Sequence, residues 1–370
     1  MTKSKKAGPA AVVRNVVMRA DTNPSPGNAS RFRRALLSWY GRNKRDLPWR
    51  RTRDPYAIWL SEIMLQQTRV AAVLEHYRAF LKLFPDISAL AAASEDAVLA
   101  AWSGLGYYRR ARMLRECARE MLKEHGGRFP QTADALLQLP GIGRYTAAAI
   151  ASIAFGEPSA VVDGNVDRVL QRIVGRSLEA AESWKRAQDL LSPSRPGDFN
   201  QAMMELGATV CLPRDPLCAA CPVRSLCATR AREMVEKGSG FGALQSAAPA
   251  RQIKREIWCA LERRDGQVRL VKRPRSASLM AGMWELPQWG ELPHKSAQSA
   301  KWRTFRHSIT VTDYTVHVLR DWKKKPPFQG IGSRGPGVSA GRGAWVAIET
   351  IPRLPITGLT RKILRADGII

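Results

Sequence analysis

Acidic residues are the scarce class in this chain of 370 residues. Asp and Glu number 32 against 59 Lys and Arg, leaving a formal charge of +27 and a pI near 10.6. An excess of that size repels the protein from its own copies and draws it to polyanions, most simply nucleic acid. Arginines that only solvate helix faces are the blander explanation, and they fit a smaller surplus better. Long apolar runs are missing as well. None approaches the roughly twenty residues that cross a bilayer, so no membrane partner is expected. The basic N-terminus is not followed by an apolar stretch of signal-peptide type. The expected setting is cytoplasmic, nucleoid-associated and reducing, of bacterial type, and the expected state is a monomer. No internal repeat of solenoid type is present.

Cysteine is scarce too, and unevenly spread. Only six occur, and four of them form the run Cys211-x6-Cys218-x2-Cys221-x5-Cys227, with Cys117 and Cys259 apart. Disulfides suit a secreted chain and would leave both other cysteines over. Four clustered thiolates suit one metal centre, because short spacers let the backbone aim each sulfur at a common point. Structural zinc is one candidate, although its sites more often pair two knuckles across a longer insert. The unequal 6-2-5 spacing resembles the cluster loop of the endonuclease III superfamily of DNA glycosylases. That resemblance implies one 4Fe–4S cluster, held by Cys211, Cys218, Cys221 and Cys227.

The length allows two or three domains. Residues 1–30, with NPSPGN at 23–28, read as a disordered basic tail. From 31 to 232 the pattern is helical. Asp54-Pro55 opens one helix, Phe84-Pro85-Asp86 interrupts, and Ser94-Glu95-Asp96 starts another. Residues 233–254 are rich in glycine and small side chains and read as a linker. Beyond it, 255–370 holds alternating runs at 257–261, 268–271, 314–318 and 344–348, with Asp265-Gly266 at a hairpin turn. The fold class is therefore multi-domain: an all-α domain followed by an α+β domain. Residues 321–343 read as a basic, Gly/Pro-rich loop.

Three stretches carry candidate chemistry. Leu139-Pro140-Gly141-Ile142-Gly143-Arg144-Tyr145-Thr146-Ala147 sets Gly141 and Gly143 in a tight turn before a helix. Backbone N–H groups at such a start can bind a phosphate oxygen without reading sequence, or the glycines can serve helix packing alone. Asp163, in Val161-Val162-Asp163-Gly164-Asn165, is partly buried by its apolar frame. Either it caps the helix beginning near Asn165 or it does chemistry, and both roles are compatible. Glu62 lies four residues after Ile58 and three after Trp59, on or beside an apolar helix face. A buried carboxylic acid has a raised pKa and stays protonated near neutrality, as a general acid must.

The string Trp59-Leu60-Ser61-Glu62-Ile63-Met64-Leu65-Gln66-Gln67-Thr68 closely resembles the adenine DNA glycosylases of the MutY family. Pro48-Trp49-Arg50, the run from Trp102 to Tyr108, Phe199-Asn200-Gln201-Ala202-Met203-Met204 and the cysteine loop extend the resemblance from about Arg31 to Ala228. It implies a helix-hairpin-helix glycosylase domain that removes adenine opposite 8-oxoguanine or guanine from double-stranded DNA. Glu62 would be its acid, Asp163 its electrostatic stabiliser, and Tyr145 and Asn165 the residues that orient both. Leu65, Gln67, Thr68 and Tyr107 match positions that wedge into the duplex and hold the partner base. More loosely, Arg273-Pro274 and Met280-Ala281-Gly282-Met283-Trp284-Glu285-Leu286-Pro287 resemble a MutT/Nudix-like recognition domain. Residues 288–303 hold only Glu291, so the glutamate-rich metal box of a pyrophosphatase is missing. Thr310, in Ile309-Thr310-Val311, stands where the family places a serine that approaches the lesion. A glycosylase/lyase of oxidised pyrimidines would need lysine where Tyr145 stands. A thymine–guanine glycosylase and a non-catalytic iron–sulfur DNA-binding module are the other readings.

Overall fold

The structure is a computed structural model, and it describes residues 26–235, 252–291, 300–309, 311–320 and 343–370. Helix α1 (Pro26–Asn43) opens inside the stretch expected to be a tail. Proline is tolerated at a helix start because its missing N–H would have no partner there. Ala29, Phe32, Leu36, Trp39 and Tyr40 then form an apolar stripe worth burying. A 3-10 turn (Pro48–Arg50) leads to α2 (Pro55–Leu65), capped by the Asp54 carboxylate on the Tyr56 N–H. Helices α3 (Val70–Leu83), α4 (Ile87–Ala92), α5 (Glu95–Ala101) and α6 (Arg109–His125) follow. Asp86 and Ser94 cap α4 and α5 by accepting from the N–H groups of Ala89 and Ala97; the start at Ser94 is the one the punctuation predicts. Then come α7 (Ala133–Leu137), α8 (Arg144–Ala154), α9 (Gly164–Val174), α10 (Ala180–Leu190), α11 (Pro196–Thr209) and α12 (Ala228–Val235).

The chain forms two compact units, and a segment of the helical stretch, 67–127, groups with the C-terminal part. Of the described residues, one unit holds 26–66 and 128–235; the other holds 67–127 and those from 252 to 370. In the first, α11 packs on α1, α8 and α9, while α2 packs on α8. Its core joins Phe32, Leu36 and Trp39 to Val169, Leu170, Ile173, Phe199, Met203 and Leu206. The i, i+3, i+4 and i+7 spacing of Val166, Val169, Leu170 and Ile173 aims one face of α9 inward.

In the second unit, Phe80, Phe84 and Trp102 pack edge-on, with Phe80 4.8 Å from Phe84 and 5.9 Å from Trp102 between ring centroids. The C-terminal part is α+β. Strands β1 (Ile253–Leu261), β2 (Arg263–Arg264), β3 (Gln267–Lys272), β4 (Trp284–Glu285), β5 (Gln288–Trp289), β6 (Lys301–Ile309), β7 (Thr312–Arg320) and β8 (Gly343–Ala347) precede α13 (Gly358–Ala366). One sheet runs β5-β1-β7-β6; in the other, β3 pairs with β2, β4 and β8. Strand β1 lies parallel to β7, from Ile253 opposite Thr312 to Leu261 opposite Arg320. The Asp265-Gly266 hairpin joins β2 to β3, with both residues at positive φ (48° and 70°). Val268, Leu270, Val316 and Val318 point inward and meet Ile363 and Leu364 of α13. The sheet also rests on α5 and α6 of its own unit: Lys272 Nζ pairs with Asp96 at 2.7 Å, and Arg112 donates to the Ala281 carbonyl. The linker expected at 233–254 and the loop at 321–343 lie largely outside the described residues.

Candidate active site and cysteine pocket

Glu62 sits in the middle of α2, where every residue from Tyr56 to Met64 is buried. Its own exposure is 7%. Tyr145, in the first turn of α8, lies with its hydroxyl 2.7 Å from Glu62 Oε2 and 3.1 Å from Met204 Sδ. Burial pushes the Glu62 carboxyl up to about 7; the Tyr145 hydrogen bond opposes this, the nearby Asp163 charge adds to it, and Arg50 subtracts. Burial and then the charge of Glu62 raise the Tyr145 phenol well above its ordinary 10.0, so it stays a donor.

Asp163 caps α9. Its Oδ1 accepts from the N–H groups of Asn165 (2.9 Å) and Val166 (2.7 Å), and its Oδ2 accepts from Asn165 Nδ2 at 3.1 Å. The cap reading of this residue is therefore correct, and the same bonds hold the carboxylate in one orientation. Arg168 fixes the amide in turn: Nη2 donates to Asn165 Oδ1 at 2.8 Å and to the Gly207 carbonyl at 2.7 Å. Helix α11 comes so close at Gly207 that a Cβ there would lie 2.6 Å from Asn165 Cβ and 2.9 Å from its carbonyl oxygen. Only glycine fits.

Arg50, whose charge reaches Glu62, belongs to an ion cluster around Glu205. Glu205 is fully buried and receives Arg45 at 2.7 Å and Arg50 at 2.8 Å, along with the Arg45 N–H at 2.9 Å. Burial alone would raise this carboxyl, but the hydrogen bonds from Arg45 and Arg50 outweigh it and hold it at about 2.

Cys211, Cys218, Cys221 and Cys227 line one pocket with Val210, Pro216 and Arg172, and none is in a disulfide. Among the described residues, no three His, Cys, Asp or Glu side chains are grouped as ligands of a single ion. Arg172 of α9 staples the loop. Its guanidinium donates to the carbonyls of Leu212 (2.6 Å) and Pro213 (3.0 Å) and reaches Cys211 Sγ at 3.3 Å. Burial, and after it the neighbouring cysteines, pushes the Cys227 thiol up to about 11.

Comparison with known proteins bears on this arrangement. The family described as "HhH-GPD superfamily base excision DNA repair protein" matches residues 60–193. A Schizosaccharomyces pombe adenine DNA glycosylase is 32% identical over 317 residues, covering 70% of this chain and 69% of that protein. The chain belongs to the adenine DNA glycosylase family. The human adenine DNA glycosylase is 45% identical over 313 residues, or 69% of this chain and 57% of the human one. With the mouse match covering 48% of its protein, the chain spans about half the length of these mammalian relatives. A thermostable thymine-DNA glycosylase of known structure is 31% identical with a TM-score of 0.53, over 57% of this chain and all of that one.

The residues that the family resemblance points to are thus brought together in part. Glu62, Tyr145, Asp163 and Asn165 share one unit, as do Leu65, Gly141 and Gly143; Gln67, Thr68 and Tyr107 belong to the other. Gly141 takes φ +78°, which its turn requires, whereas Gly143 is the extended N-cap of α8 with open space at its Cβ position. Gln67 and Tyr107 also have positive φ, 56° and 48°. Thr310 lies outside the described residues. Sequence reasoning missed Arg45, Glu205, Arg168, Arg172 and Gly207, and gave Met204 no role of its own. The one available signal was a charge at Glu205 between Met204 and Leu206, on an otherwise apolar helix turn.

Glu205→Gln leaves the buried Arg50 guanidinium, and the more exposed one of Arg45, facing a neutral amide. A loss of about 3–5 kcal/mol in unfolding free energy is expected at pH 7, checked by denaturant titration. The carboxylate's stabilisation is present above its ordinary value of 4.5 and is lost as pH falls toward about 2. A loss below about 1 kcal/mol, the scale of a surface pair, would contradict it.

Proposed function

We propose that this chain excises adenine from duplex DNA, acting on adenine opposite 8-oxoguanine or guanine. The observation that carries the reading is a buried carboxyl, Glu62, held near neutrality in its protonated form by burial and touched by the Tyr145 hydroxyl. Adenine leaves poorly unless its N7 is protonated. Glu62 gives N7 its proton, the bond from N9 to the sugar C1′ breaks, and the electron pair departs with the base. Positive charge left on the sugar faces Asp163, whose orientation Asn165 and the α9 backbone fix in advance. Water then adds to C1′ and returns a proton to Glu62. Tyr145 occupies the position where a lyase needs an amine nucleophile, so the product is an abasic site without strand cleavage.

The rest of the binding machinery suits a duplex. The charge of +27 favours a polyanion. The α8 N-terminus has no side-chain cap, and open space at Gly143 leaves its N–H groups accessible to a phosphate oxygen. Leu65, Gln67, Thr68 and Tyr107 are assigned to opening the base stack, and Thr310 to the opposite base.

The cysteine pocket fits a 4Fe–4S cluster. Four reduced sulfurs line one pocket, and burial together with the neighbouring cysteines raises the Cys221 and Cys227 thiols, a penalty that a positively charged centre would offset. When bound, the cluster braces the loop carrying Arg214; none of the steps above uses it.

Glu62→Gln should retain duplex binding and lose adenine release by at least 10²–10⁴-fold, roughly the worth of a general acid. Single-turnover assays on duplexes pairing A with 8-oxoguanine, G or C, and T with G, check this. Release of thymine in preference to adenine would replace the reading with a thymine–guanine glycosylase. Purified protein should be brown and hold about four irons per chain, and Cys218→Ser should lose both the colour and the DNA affinity. Stoichiometric zinc without iron would overturn the cluster assignment.

A further inference from the structure

The loop between α5 and α6, Trp102–Tyr108, is held from three sides within the second unit. Trp102 Nε1 donates to the Gly106 carbonyl at 3.2 Å. Arg110 Nη2 reaches the carbonyls of Leu105 (3.3 Å) and Gly106 (3.2 Å) and the Thr68 hydroxyl (3.2 Å), and its guanidinium lies 5.5 Å from the Tyr107 ring centroid. Gln67, next to Thr68, and Tyr107 are the two non-glycine residues of positive φ in this region. Backbone in this conformation persists only where its surroundings fix it. The third hold comes from the far end of the chain. Ser103 is 6% exposed, and its hydroxyl donates to the Ile356 carbonyl at 2.7 Å, just before α13. Arg361 Nε of α13 in turn donates to the same hydroxyl at 3.3 Å, while the Ser103 carbonyl meets His76 Nε2 at 3.1 Å.

We propose that Ser103 is a positioning residue that ties the C-terminal sheet and α13 to the Tyr107 loop, so that the C-terminal domain's engagement with the base opposite adenine sets how firmly that loop enters the duplex. The proposal rests on the reading of the chain as a glycosylase of mispaired adenine. A hydroxyl is well suited to this place. It donates to the Ile356 carbonyl and accepts from the Arg361 guanidinium, both in one short segment, and it also meets the Tyr108 side chain within its own loop. Inside the loop, Trp102 and Arg110 grip the Gly106 carbonyl together, and a shift at Ser103 passes through that grip to the next residue, Tyr107. An alanine at 103 would leave the Ile356 carbonyl and the Arg361 guanidinium without this partner and would change the packed volume little.

The test compares the full chain with Ser103→Ala and Ser103→Thr. In amide hydrogen exchange without DNA, Ser103→Ala should speed exchange across 102–108 about fivefold, the worth of one net hydrogen bond, and Ser103→Thr should restore protection. On DNA, Ser103→Ala should lower the preference for A opposite 8-oxoguanine over A opposite G by about the same factor, with the single-turnover rate on saturating A opposite G unchanged. Unchanged exchange at 102–108 would overturn the tether. Equal losses on both duplexes with a lowered melting temperature would overturn the coupling and leave Ser103 a packing residue. If the wild-type chain releases no adenine, the functional reading fails, and the exchange measurement still decides whether the tether exists.

Discussion

A carboxyl group buried in α2 and met by the Tyr145 hydroxyl is the constraint to which the first unit is built. Water would ionise Glu62 well below neutrality; its removal by the surrounding α2 residues is what keeps the proton on. That requires a helix with no solvent face, and α2 is buried along nearly its whole length. It also requires that the neighbouring charges be settled elsewhere. Glu205 takes up Arg45 and Arg50, so Arg50, whose charge opposes protonation of Glu62, is itself neutralised by a second carboxylate.

The second carboxylate of the site is positioned by a different device. Asp163 is turned by the α9 N-terminus and by Asn165, Asn165 is held by Arg168, and Arg168 also donates to the Cys211 carbonyl at 2.9 Å. A short series of hydrogen bonds thus runs from the site to the cysteine loop. Gly207 lets α11 come close enough to complete it. The loop's cohesion and the carboxylate's orientation share one set of side chains, on one face of α9.

Much of this was legible in the sequence, for physical reasons that differ from place to place. Helix starts at Asp54 and Ser94 are readable because capping is local: the side chain and the N–H it accepts from lie within three residues. The strands in the C-terminal part were readable from alternation, but the parallel pairing of β1 with β7 was not, since nothing local distinguishes it from a hairpin. Helix α1 was misjudged at its start because NPSPGN has the composition of a tail, while the apolar stripe that anchors it begins at Ala29. Glu62 and Asp163 stood out as acids in apolar frames. Arg168, Arg172 and Gly207 did not, because an arginine that serves backbone carbonyls 39 or more residues away leaves no mark on its own neighbourhood. The grouping of 67–127 with the C-terminal sheet was likewise hidden, since its contacts join residues as far apart as Ser103 and Ile356.

The central claim is that Glu62 acts as an acid whose proton is kept by burial and tempered by Tyr145. Its most direct test is the pH dependence of single-turnover adenine release in the wild-type chain and in Tyr145→Phe. Release should be fast on the acid side and fall as pH rises through about 7, where Glu62 ionises. Because the tyrosine hydrogen bond lowers the carboxyl's pKa, its removal should move that midpoint to higher pH. A wild-type midpoint in the ordinary carboxylate range near 4.5, or a midpoint in Tyr145→Phe that stays put or moves down, would contradict the account.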